Sequence, residues 1–209
     1  MDVKSSSSAY SQGCKFVHCG TTQNPAIMAK KRLFPIAILM ALVVGSCGLE
    51  DAFAPHLSVR GDSGVSYIES KTSWQKQKQE NGDSYEYALE VTSFTGHGNR
   101  TIMSIENGKV MKRTYLTVYM DPDNGEVEEQ EVYSESGSEV GTNSEGAKPL
   151  TIDALYEICA SEYLVVDEEN NRIYFDTNDE EIMDLCGYVP IGCADDCFTG
   201  LTFSHFAWK

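Results

Sequence analysis

Any chemistry done by the side chains of this chain must draw on seven cysteines, four histidines and a large surplus of carboxylates. Four cysteines sit near the carboxyl end: Cys159, Cys186, Cys193 and Cys197. An even set of this kind reads as two disulfides in an oxidising compartment, with three connectivities open. Cys193 and Cys197 close a small loop around Ala194, Asp195 and Asp196, and Cys159 falls on a helix that must pack on the final sheet. That placement favours Cys159 with Cys186 and Cys193 with Cys197. The competing chemistry is a metal site built from Cys193, Cys197 and either His205 or Asp195, because zinc sites use cysteines at such spacing. Exported thiols are normally oxidised, so the disulfide reading leads, no metal is assigned, and Asp195 and Asp196 stay as the carboxylate pair to watch.

Catalytic signatures are thin. The chain has no G-x-S-x-G, no H-E-x-x-H and no phosphate-cradling glycine loop. His56 lies in a glycine-containing connecting stretch, His97 falls at a strand end within Thr95-Gly-His-Gly98, and His205 takes an inward strand position expected of a core residue. Paired carboxylates abound, but in so acidic a chain pairing arises by chance and discriminates nothing. Cys14, His18 and Cys19 lie in a low-complexity start that also holds Ser5–Ser8, and are not read as metal ligands. Arg60-Gly61-Asp62 spells an integrin-binding tripeptide of a kind that often arises by chance. No cofactor is implied.

Charge divides the chain. Residues 1–47 hold five of the 16 basic groups and one of the 32 acidic ones, so the remainder carries a net charge of about −20. A body this acidic repels phosphate backbones, which excludes nucleic acid as a partner. Lys30, Lys31 and Arg32 precede an apolar run, Leu33–Val44, of signal-peptide length. That run falls short of the ~20 residues a spanning helix needs. Val44-Gly-Ser-Cys47 closes it and resembles the bacterial lipobox, whose logic is lipidation of the cysteine and cleavage just before it. Cys47 is the expected lipidation site. The expected organisation is a gene-model extension over residues 1–27, a lipoprotein signal peptide over 28–46, a flexible lipidated tether over 47–64 and one domain over 65–209.

Periodicity supplies the elements. Val65–Gln79 predicts a helix with Ile68, Lys71 and Trp74 at helix spacing, ended by Gly82-Asp83. Tyr85–Val91 alternates as a half-buried strand that shows Tyr85, Tyr87, Leu89 and Val91 on one face. Thr101–Glu106 and Lys109–Tyr119 flank Asn107-Gly108, the strongest short hairpin signal. Between Asp121 and Gly146 there are nine acids and no Lys or Arg, so 121–148 reads as a mobile acidic loop. Within it Asp121-Pro-Asp-Asn-Gly-Glu126 hints at a calcium loop but places Gly125 where a ligand belongs. Thr151 caps a second helix with Ile152, Leu155, Cys159 and Tyr163 as its apolar stripe. Strands follow at Arg172–Asp176, Ile182–Val189 and Leu201–Trp208, the last with Leu201, Phe203, His205 and Ala207 on one side. The expectation is an α+β domain: an antiparallel sheet of about five to six strands, two helices on one face, disulfide-stapled.

Trp74 ahead of Tyr85-Glu-Tyr87, the Glu106-Asn-Gly-Lys-Val110 hairpin, Thr151-Ile-Asp-Ala-Leu-Tyr156, Ile173-Tyr-Phe-Asp176 and Ala194-Asp-Asp196 come in an order that resembles a bacterial exported lipoprotein family catalogued as domain of unknown function 6174. The likeness covers residues 66–208. This chain departs from the pattern in its long acidic insertion and in the cysteines that flank Asp195-Asp196. The resemblance implies localisation at the cell envelope and a fold, and no activity. The expected function is a membrane-tethered, non-enzymatic module that binds an envelope partner. The alternatives are a calcium-binding protein using the acidic loop or Asp195-Asp196, and a hydrolase that would need His97 or His205 in a cleft beside a nucleophile.

Overall fold

A computed structural model describes residues 55–121 and 124–209. The leader and residues 47–54 of the expected tether, Cys47 among them, lie outside the described residues, as do Pro122 and Asp123 of the calcium-like loop. The described fold is α+β. Helix α1 (Tyr67–Asn81) precedes four strands, β1 (Tyr85–Thr92), β2 (His97–Glu106), β3 (Lys109–Met120) and β4 (Val127–Ser136). Helix α2 (Ile152–Ile158) runs into a π-type turn (Cys159–Tyr163). Strands β5 (Asn171–Thr177), β6 (Met183–Pro190) and β7 (Thr199–Trp208) follow. All seven strands form one antiparallel sheet in the order β4-β3-β2-β1-β7-β6-β5. Because β7 returns to pair with β1, the last strand joins the two halves of the chain.

Local chemistry explains the helix ends. The Ser66 side chain accepts from the Glu69 backbone while the Glu69 carboxylate accepts from the Ser66 backbone, a complete capping box that satisfies two orphan donors. Thr151 Oγ1 caps α2 by accepting from the Ala154 amide. Asn107 and Gly108 both hold positive φ, as a two-residue hairpin between right-twisted strands demands.

The core lies between the helices and one face of the sheet. Trp74 stacks on Trp208 at 5.3 Å and meets Tyr85 edge-on at 5.0 Å. Four buried tyrosines sew the layers together through their hydroxyls, so each apolar ring brings a satisfied polar tip. Tyr85 Oη accepts from the Ile152 amide at the start of α2, and Tyr87 Oη donates to the Leu150 carbonyl. Tyr67 Oη donates to the Tyr156 carbonyl, and Tyr156 Oη accepts from the Met183 amide. Burial drives the Tyr156 phenol up to about 12, so it stays neutral and able to hydrogen-bond across the physiological range. Cys159 and Cys186 stand at disulfide distance, with Cα atoms 5.9 Å apart, and join the helical turn to the sheet.

Several expectations need correction. The sheet has seven strands, not five to six. The extra one is β4, inside the acidic segment expected to be mobile. It pairs with β3 from Lys112↔Ser136 to Met120↔Val127. Its alternation carries charge rather than apolarity, as suits an edge strand that must resist further pairing. The rest of that segment is held by Glu135, which is 2% exposed. Its carboxylate accepts from the backbone amides of Gly141 and Asn143 at 2.7 and 2.6 Å and pairs with the buried Arg113 at 3.1 Å. Arg113 also donates to the Asn143 and Glu145 carbonyls, so the loop is clamped from both sides.

The described end of the expected tether is docked rather than free. Leu57 and Val59 pack on the core, and the Asp62 and Ser63 amides donate to the Asp176 carboxylate, each at 3.1 Å. A Cβ at Gly61 would lie 2.5 Å from Asp176 Cγ, so the chain approaches this closely only because residue 61 is glycine. Arg60 is paired with Glu69. The Arg60-Gly61-Asp62 tripeptide is therefore engaged with its own domain.

Candidate functional site

Strands β1 and β7 pair from Tyr85↔Trp208 to Leu89↔Phe203 and then part. The ladder slips by one residue between Ala88 and Leu89, leaving Ser204 as an extra residue on β7. The bulge reverses the alternation of β7. Leu201 and Phe203 face the core before it, and Phe206 and Trp208 face the core after it. His205, expected to point inward, is exposed on the other side opposite Ala88. A one-residue slip moves every later side chain to the opposite face.

Beyond the bulge the two strands diverge. Glu90–Thr92 keep β2 on one side and Thr199–Thr202 keep β6 on one side. Between these ends opens a cleft of about 670 Å³, within the size range of ligand pockets. Glu90 and Thr92 line one wall, Leu185, Val189 and Thr202 the other, and the loop from Cys193 to Phe198 forms the lip. Cys193 and Cys197 are at disulfide distance, their Cα atoms 6.3 Å apart. Two contacts seat the lip. The Phe198 ring lies against the paired glycines of β6 and β7: a Cβ on Gly187 would come 2.5 Å from its Cζ and one on Gly200 2.9 Å. Asp196, at positive φ, accepts the Phe94 amide at 3.1 Å and ties the lip to the β1–β2 turn.

Electrostatically the cleft is acidic. Asp195 and Asp196 are exposed on the lip. Burial pulls the Glu90 carboxyl upward, but hydrogen bonds from Arg100, Thr92 and Ser204 outweigh it and hold Glu90 below the usual carboxylate range. Arg100 is divided between Glu90 and Glu129, so that triad remains net negative. Apolar groups are left uncovered around the mouth: Val91 is 67% exposed and Phe94 79%. Val91 was expected to continue the buried face of β1, and it leaves the core because its partner strand has turned away.

Sequence reasoning singled out Asp195, Asp196, Cys193 and Cys197, and the structure brings them to one lip. Cys159 and Cys186 lie elsewhere, inside the core. Neither His97 nor His205 lines the cleft; the His97 ring packs against Tyr119, centroids 4.6 Å apart and tilted by 33°. Among the described residues no three His, Cys, Asp or Glu side chains converge so as to hold a metal ion, which leaves the Cys193–Cys197–His205 arrangement without geometry. Missing from the sequence reading were Glu90, Leu185, Val189 and Phe198. Only the Gly200 that follows Phe198-Thr199, in a strand otherwise free of glycine after it, carries a trace of the close approach.

No family model, curated protein or solved structure matches this chain.

Proposed function

We propose that the protein is an exported lipoprotein, tethered through Cys47, whose disulfide-stapled domain is a non-enzymatic binding module at the cell envelope. The lipoprotein family that the sequence resembles belongs to the same proposal. The observation that carries the binding reading is the cleft where β1 and β7 part. It has Leu185 and Val189 on one wall, acidic groups on the other wall and on the lip, uncovered aromatic and aliphatic groups at its mouth, and no histidine in its lining. Contiguous exposed apolar surface with a polar rim marks interaction sites more than catalytic ones. The tethering reading rests on the basic, apolar and small-residue order of residues 28–47.

A single fractionation experiment addresses the tether. The wild-type protein is expected in the membrane fraction, labelled by palmitate, and Cys47→Ala is expected to lose the label and leave that fraction. Unchanged membrane association of an unlabelled protein would remove the lipid anchor from the account. The binding reading is tested at the cleft itself, below.

A further inference from the structure

We infer that the cleft between β1 and β7 takes an extended peptide segment of a partner protein, one that alternates apolar with lysine or arginine side chains. This deepens the binding-module reading and rests on it. Three features of the cleft select this occupant. First, the backbone is unfinished. Past Leu89↔Phe203, residues Glu90–Thr92 and Thr199–Thr202 each have a strand on one side only, and the cleft is lined from both ends. An open strand end offers main-chain donors and acceptors to another extended chain, the mode by which a peptide adds to a sheet edge. At about 3.3 Å per residue, the three free positions of β1 would engage two or three residues of such a segment.

Second, side-chain spacing suits alternation. Successive residues of an extended peptide point to opposite sides. Those on the face turned away from the helices would meet Asp195 of the lip and the net-negative Glu90–Arg100–Glu129 triad; those on the other face would meet the exposed Val91, which continues the Tyr85–Leu89 side of β1. With a surrounding body near −20, a cationic segment is drawn in and an anionic one is repelled. Third, the uncovered apolar surface exceeds the cleft. A compact ligand filling 670 Å³ would leave Phe94, 79% exposed and outside the cleft lining, in water, whereas a segment belonging to a larger partner would cover it.

The test uses the full-length protein in nonionic micelles, with empty micelles as blank. Its probes are a nonapeptide of alternating leucine and lysine, the same peptide with glutamate for lysine, and the same peptide N-methylated at alternate amides. Binding of the leucine–lysine peptide is expected. Glutamate replacement, N-methylation, and the variant Asp195→Asn/Phe94→Ser are each expected to weaken it at least about tenfold. The variant's melting temperature, read alongside, shows that it is folded. Equal binding of the lysine and glutamate peptides, or indifference to N-methylation, overturns the proposal. Binding of dodecyltrimethylammonium with no peptide binding also overturns it, in favour of a small-molecule pocket, and leaves the binding-module reading standing. Failure of every probe on folded protein removes both.

Discussion

Glu135 is buried in the sheet yet ionised because five hydrogen bonds converge on it, from Arg113, the Gly141 amide, the Thr142 hydroxyl and both the amide and the side chain of Asn143. Burial pushes its carboxyl upward; the amides of Asn143 and Gly141, the Asn143 side chain and Arg113 reverse that and hold it down at about 2. Glu69 is held at about 2 as well, first by the hydrogen bond from Arg60 and then by Ser66. Groups whose folded pKa is depressed stabilise the fold fully above their ordinary value of 4.5, and that stability fades as pH falls toward about 2. The urea midpoint of the wild type is expected to drop across that window. Glu135→Gln should start lower at neutral pH and fall less steeply. A Glu135→Gln curve parallel to the wild type would show that the loop clamp does not depend on the charge. Arg113→Met removes one partner and strands the carboxylate, so it is expected to destabilise more than the double replacement with Glu135→Leu, because an unpaired buried charge costs more than a missing pair.

At the scale of elements, the aromatic layer and the cysteine pairs make different contributions. Trp74 is 1% exposed and touches Tyr85, Phe206 and Trp208. Trp74→Ala is expected to cost about 3–5 kcal/mol by denaturant unfolding, the usual loss for a large aromatic in a core. Joining Cys159 to Cys186 closes a sequence separation of 27, against 4 for Cys193 and Cys197. Chain entropy assigns about 3–4 kcal/mol to the longer loop and about 2 kcal/mol to the shorter. Replacing Cys159 and Cys186 by alanine should therefore lower stability more than replacing Cys193 and Cys197. The second change should instead weaken peptide binding at the cleft, because it loosens the lip.

Elements with strong local chemistry were legible: the Asn107-Gly108 turn, the Thr151 cap and the tyrosine alternation of β1. What escaped was set by tertiary pairing. Strand β4 has no apolar alternation to announce it and exists because β3 offers an edge. The bulge at Ser204 leaves no mark in composition, yet it turns His205 out and Trp208 in. The docking of residues 57–63 depends on Asp176, more than a hundred positions away. The cleft follows from the same bulge and divergence, so its lip residues could be named in advance and its walls could not.

For the whole molecule, the proposed arrangement is an acidic domain held at an envelope surface by acyl chains, with an open strand end available to a basic partner. The charge asymmetry makes a specific expectation: association with a leucine–lysine segment should weaken as salt rises, because surface electrostatics are screened over about 10 Å at 0.1 M ionic strength. Salt-independent binding would mean the carboxylates around the cleft play no part. The tether and the oxidised cysteines stand or fall together, since both require export. Intact-mass spectrometry of the protein extracted from membranes reads them at once. The expected mass is that of a chain beginning at Cys47, carrying acyl groups on that residue, and lacking the hydrogens of four oxidised thiols. A mass corresponding to an unprocessed leader, no lipid and free thiols would contradict the account.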